Sequence, residues 1–223
     1  MAVYNKEDVT VSLKESRELD SNDQDIDELL ATSQTGNADN VAAFFERYRP
    51  RLLRMIEVRL NNQLRGRVDA SDIIQDAYAE AARVLDDYLK ERPLPVFLWL
   101  RRLAGQKLTE AYRKHVVSEK RTVRKEQNVE PMANINSESL AFEFADQNLT
   151  PSNEYSQKEV RERLHSALEQ LSESDREILT LRHFEHLNGV ETAQVLGITH
   201  DAVKKRYIRA LSRLRKQIPE WKE

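Results

Sequence analysis

Apolar positions recur at three- and four-residue spacing along most of the chain and nowhere alternate with polar ones, which predicts helices and no strands. From about residue 40 to 61, Val41, Phe44, Phe45, Tyr48, Leu52, Leu53, Ile56 and Leu60 form one helical stripe, with Asp39 placed to cap it. Pro50 lacks an amide hydrogen and sets a kink or break inside this stretch. After the loop "NNQLRGRVDAS", Ser71 is the expected cap of a helix of about 72–90 carrying Ile73, Ile74, Ala77, Tyr78, Ala81, Leu85 and Leu89. "KERPLPV" ends it, and a third helix runs from about Val96 to about Val117. Periodicity then fades over about 118–153, where Asn, Ser, Glu and two prolines read as a linker.

The pattern returns in "SQKEVRERLHSALEQL", with Val160, Leu164, Leu168 and Leu171 in phase. Ser172 stands three residues before Asp175, a capping-box pattern for the next helix. "GVETAQVLGIT" gives a short helix and a glycine turn. A last helix then places Val203, Tyr207, Leu211, Leu214 and Ile218 on one face. Upstream, "DQDIDELLATSQTGN" predicts a short helix ending near Gly36, and residues 1–22 read as a mobile polar tail. The expected architecture is all-α: two small helical domains joined by a flexible linker. The boundaries are an acidic N-terminal extension at 1–36, a helical domain at 37–117, a linker at 118–156 and a second helical domain at 157–219.

Charge changes this picture from generic helices to a binding protein. The net charge of −3 is an average over opposed blocks. Residues 1–36 hold three bases and nine acids, net −6, and residues 126–154 hold six acids and no base, net −6. Residues 101–125 hold nine bases and two acids, net +7, and residues 199–216 hold seven bases and one acid, net +6. A solvated helix face normally mixes signs. The closing helix carries Lys204, Lys205, Arg206, Arg209, Arg213, Arg215 and Lys216 with no acid after Asp201, the electrostatic footprint of an anion-binding face.

Three constellations carry chemistry. In "VETAQVLGITHDAVKKRYIRAL", Ala193, the turn Leu196-Gly197-Ile198 and Val203 have the spacing of a helix-turn-helix, whose second helix enters the major groove. Thr199 and His200 open that helix, and Lys204, Lys205, Arg206 and Arg209 follow as candidate DNA contacts. In "PVFLWLRRLAGQKLTEAYRKH", Trp99 sits among Arg101, Arg102, Gln106, Lys107 and Arg113, a mixture suited to backbone neutralisation and base stacking. In "DASDIIQDAYAEAARVL", the polar face bears Asp72, Gln75 and Asp76, which would repel DNA and suits a protein partner.

Enzyme readings have little to rest on. The chain has no cysteine, so no disulfide and no thiolate metal site. His183 and His186 in "HFEH" lack a third ligand, no phosphate loop or GxSxG is present, and neither metal nor cofactor is expected. The longest apolar run is "VFLWL", far short of the ~18 residues a membrane span needs, and "MAVYNKEDVT" has no apolar signal core. The expectation is a cytoplasmic, non-enzymatic, DNA-binding protein without membrane insertion.

The order of these signals resembles the sigma factors of bacterial RNA polymerase, in the compact extracytoplasmic-function (ECF) group that keeps only conserved regions 2 and 4. "SDIIQDAYAEAARVL" is similar to the group's core-polymerase-binding helix, "FLWLRRLAGQKLTEAYRKH" to its melting and minus-10 helix, and the segment from "LSESDREIL" to "SRLRK" to its minus-35 helix-turn-helix domain. The resemblance covers roughly residues 38–117 and 157–217. It departs at Gln106, where the group usually has Asn, at Glu110, where it usually has Asp, and in the long acidic extension and linker. It implies minus-35 contacts from Thr199, His200, Lys204, Lys205, Arg206 and Arg209. It implies minus-10 contacts from Trp99, Arg101, Arg102, Gln106, Lys107 and Arg113, and docking on core polymerase through Asp72, Gln75 and Asp76. Promoter DNA and core RNA polymerase are the implied partners, and an anti-sigma factor is a further one. The competing reading is a helix-turn-helix regulator with an N-terminal sensor or dimerisation domain.

Overall fold

The computed structural model describes residues 28, 29, 31, 38–60, 66–117, 135–138, 140–141 and 154–218. The polar tail and most of the acidic extension and linker lie outside the described residues. Helices run in the order α1 (Ala38–Glu46), α2 (Arg49–Arg59), α3 (Ala70–Arg83), α4 (Leu85–Glu91) and α5 (Val96–Tyr112). After the linker come α6 (Glu154–Glu169), α7 (Glu173–Leu179), α8 (Gly189–Leu196) and α9 (His200–Gln217). Wide π-type turns extend α5 over Arg113–Val117 and α7 over Thr180–Phe184. Among the described residues every regular element is helical.

The expected 40–61 helix is two helices. Pro50 occupies the first turn of α2, where a missing amide hydrogen costs nothing, so the chain breaks at Arg47–Tyr48 instead of kinking. The expected 72–90 helix also divides, at Val84, and its cap is Asp69 rather than Ser71. The Asp69 carboxylate accepts from the Ser71 amide at 2.7 Å. Arg92 ends α4 at φ 44°, a left-handed residue followed by Pro93 and Pro95 that cannot continue the helix.

The helices of the first half close on one apolar core, with α3 packed along α5. At its centre Trp99 stacks on Tyr88, centroids 4.0 Å apart, and meets Phe45 edge-on at 6.1 Å. Tyr78 donates its hydroxyl to the Phe45 carbonyl at 2.7 Å, and burial raises its pKa. In the second half Leu164, Leu168, Leu171, Ile178, Leu179, Phe184, Val203, Ala210 and Leu214 form another core.

The two cores interlock. Leu181 and Leu187, from the second half, are buried against the first core, and Val58 of α2 is buried in the second. Part of the linker joins them. The Asn136 amide donates to the Val58 carbonyl at 2.8 Å, and Leu140 and Ala141 are buried in the second core. Residues 135–138, 140 and 141 thus pack as a clasp, although the sequence pattern there reads as linker.

Candidate nucleic-acid interface

The turn between α8 and α9 has the geometry its residues imply. Gly197 adopts φ 62°, a left-handed conformation that L side chains disfavour, and the Gly197 and Ile198 amides both donate to the Ala193 carbonyl. The Thr199 hydroxyl accepts from the Ala202 amide at 3.2 Å and starts α9. At the other end of α8, Asn188 and Glu191 form a reciprocal capping box. Ser172 supplies half of one to α7 by accepting from the Asp175 amide.

Helix α9 buries Val203, Ala210 and Leu214 and turns Lys204, Lys205 and Arg209 outward. Thr199 is exposed, and Arg206 and His200 are half-buried at the edges. Arg213 is bound by the buried Asp175 carboxylate, so the acid that balances this base comes from α7 rather than from its own helix. Ile208 is 65% exposed, the one exposed large apolar side chain among the described residues. It lies four residues after Lys204 and four before Ser212, on the outward face. Its place in the hydrophobic pattern could have marked it, since Ile208 falls outside the stripe of Val203, Tyr207, Leu211 and Leu214.

Beneath α9, Tyr207 and His183 hydrogen-bond at 2.8 Å. Burial, aided by the nearby charges of Arg182 and His186, pushes the His183 pKa down to about 4. Unfolded His183 takes up a proton near pH 6.5 and folded His183 only near pH 4, so its contribution is intact above pH 7 and is lost as pH falls through that window. The expected loss is up to about 3 kcal/mol between pH 7 and pH 4. Urea titrations across this range should show a steeper decline for the wild type than for His183→Gln; parallel curves would remove His183 as the cause. Among the described residues no cluster of His, Asp and Glu is arranged to hold a metal ion.

On α5 the candidate residues separate. Arg102, Gln106 and Arg113 are exposed along one face. Lys107 is half-buried and paired with Glu110 at 3.0 Å. Trp99, expected among the DNA contacts, is 2% exposed and belongs to the core, because α5 is enclosed on nearly every side and a large aromatic there fills it. Arg101 does not reach the surface either. It is 7% exposed and binds Glu185 with two hydrogen bonds, 2.5 and 3.2 Å long. On α3, Asp72, Gln75 and Asp76 are exposed while Ile73, Ile74 and Ala77 face the core.

A helix-turn-helix with a basic outward face, beside a helical domain that presents an acidic helix, defines a DNA-binding protein of the transcription machinery. Residues 167–216 match the family described as Sigma-70, region 4. The chain is 28% identical over 209 residues to the ECF RNA polymerase sigma factor SigD of Mycobacterium tuberculosis (strain ATCC 25618 / H37Rv), spanning 93% of this chain and 91% of that protein. It is 30% identical over 146 residues to the RNA polymerase sigma factor CnrH of Cupriavidus metallidurans, spanning 66% of this chain and 71% of that protein. The solved structure of CnrH in complex with the cytosolic domain of CnrY shares the fold, with TM-score 0.50 and 20% identity over 86% of this chain and 96% of that one. The chain belongs to the RNA polymerase sigma factors, in their ECF group. It is an alternative sigma factor that directs transcription initiation, and the regulator with a sensor domain is not favoured. No helix among the described residues is long and apolar enough to cross a membrane.

Proposed function

We propose that the work of initiation is divided among three faces of this chain. The observation that carries the reading is the outward face of α9, where Lys204, Lys205 and Arg209 stand exposed. On this reading they contact the minus-35 element, with Thr199, His200 and Arg206 flanking, and Ile208 offers an apolar contact of the kind a thymine methyl takes. Arg102, Gln106, Lys107 and Arg113 contact the minus-10 region as its strands separate. Asp72, Gln75 and Asp76 dock on core polymerase, which performs the chemistry, so the chain itself is not an enzyme. Polymerase and promoter place its work in the cytoplasm. CnrH forms a complex with the cytosolic domain of CnrY, and a comparable anti-sigma domain suits this chain.

Two substitutions separate the faces. Asp76→Lys reverses a charge on an exposed position and should weaken co-purification with core polymerase at least tenfold while leaving the melting temperature in place. Gln106→Ala should lower open-complex formation, read by permanganate footprinting, with polymerase binding intact. Unchanged co-purification of Asp76→Lys would take α3 out of the interface. Equal loss of binding and opening in Gln106→Ala would make that position structural.

A further inference from the structure

The outward face of α9 is not uniformly basic. Asp201, Lys204, Lys205, Ile208 and Ser212 are all exposed. Their helical spacing places them along one line, opposite the buried Val203, Ala210 and Leu214. In order along the helix the line carries an acid, two bases, an apolar side chain and a hydroxyl. Arg209, Arg215 and Lys216 stand beside or beyond it, also exposed.

A face built for phosphates alone has no use for two of these side chains. An exposed carboxylate repels phosphate, and an exposed isoleucine gains nothing from it. Neither belongs to the buried side of α9. Asp201 lies three and four residues before Lys204 and Lys205, the spacing of a helix ion pair. Among the described residues, however, no base pairs with it. Ile208 is 65% exposed, and no other large apolar side chain among the described residues is exposed beside it. It therefore forms no part of an apolar patch that a protein partner would cover. Arg209 turns back along its own helix, Nε donating to the Lys205 carbonyl at 3.1 Å, and leaves Ile208 uncovered.

We infer that Asp201 and Ile208 are specificity-determining residues of the minus-35 contact: Asp201 selects a cytosine and Ile208 a thymine. This rests on the proposed reading of α9 and adds its base preference. The pattern of donors and acceptors in the major groove decides which base each side chain takes. A carboxylate accepts hydrogen bonds and cannot donate them. Cytosine presents its N4 amine in the groove with no acceptor beside it. Adenine sets N7 next to its amine, guanine presents N7 and O6, and thymine presents O4. Each of those three turns a lone pair toward the carboxylate, so cytosine is the base that fits Asp201.

Thymine differs from the other three bases by its C5 methyl group, which an apolar side chain covers and a basic one does not. Lys204 and Lys205, between the two readers, donate only and suit guanine O6 and N7 or the phosphates on either side. Ser212 donates and accepts, so it discriminates little. Spacing fixes the separation of the two bases. From Asp201 to Ile208 the helix makes two turns and rises about 10.5 Å, against about 3.4 Å for each base-pair step. The cytosine and the thymine therefore lie about three steps apart. Asp201 is in the first turn of α9, the end that a helix-turn-helix directs at base edges.

The test uses the full chain reconstituted with core polymerase. Duplexes bound by this holoenzyme are selected from a library randomised across both promoter elements and sequenced. The wild type should enrich a minus-35 element with a C·G pair and a T·A pair about three steps apart. Asp201→Ala should lose the first preference alone, and Ile208→Ala the second alone. On the enriched duplex, uracil in place of that thymine removes one methyl group. It should weaken wild-type binding about fourfold and leave Ile208→Ala unchanged. Both side chains are exposed, so the variants should fold. Should either fail to fold by circular dichroism, the wild-type chain is measured on the uracil duplex and on the other three pairs at the cytosine position. An enriched element without a cytosine and a thymine at that separation overturns the inference. So do uracil bound as tightly as thymine, and folded variants that keep the wild-type preferences; each of these leaves the sigma-factor reading standing. A chain that forms no complex with core overturns that reading, and the inference with it.

Discussion

Trp99→Ala is expected to cost the first domain about 3–5 kcal/mol, the range for deleting a large buried aromatic. Trp99 is 2% exposed, stacked on Tyr88 and edge-on to Phe45. Urea unfolding followed by circular dichroism measures the loss. Trp99→Phe keeps most of the volume and should lose less than half as much. The motif that contains Trp99 also suits base stacking, so the two roles make opposite forecasts. A variant that loses open-complex formation while its stability falls by less than 1 kcal/mol would return Trp99 to the DNA.

The second large effect is expected from Lys204→Ala with Arg209→Ala. Each side chain, if it hydrogen-bonds a base edge, is worth about 1–3 kcal/mol of discrimination. The pair should therefore lower promoter occupancy by holoenzyme at least about 30-fold. The fold should be spared, since both side chains are exposed and the buried face of α9 is unchanged. Arg213→Ala should act differently. Its partner is the buried Asp175, so the loss falls on the stability of the second domain and not on promoter choice. Occupancy within twofold of wild type for the double variant would end the assignment of α9 as the reading helix.

Much of this protein is local and could be read from the chain. The stripes of α5, α6 and α9, the break at Pro50, the glycine turn at 197 and the cap at Thr199 each depend on residues within a few positions of one another. Spacing and backbone preference report such features directly. The exposed acidic face of α3 was legible for the same reason: on an amphipathic helix, the buried stripe of Ile73, Ile74 and Ala77 dictates where Asp72, Gln75 and Asp76 point. The capping box of Asn188 and Glu191 was equally local, its Glu three residues after the cap.

What sequence alone determined, then, was the course of most helices and their inward face, because each is settled by neighbours in the chain; the division at Val84 and the cap at Asp69 were not read from it. Which charges are free to meet DNA was decided only by tertiary structure. Arg101 and Arg102 are adjacent and identical in chemistry, yet one is buried on a carboxylate 84 residues away and the other is exposed. Glu185 looks like any surface glutamate until two arginines from a different domain enclose it. A hydrogen bond or ion pair across such a separation leaves no periodic trace, since its energy depends on where folding brings the partners and not on the spacing between them.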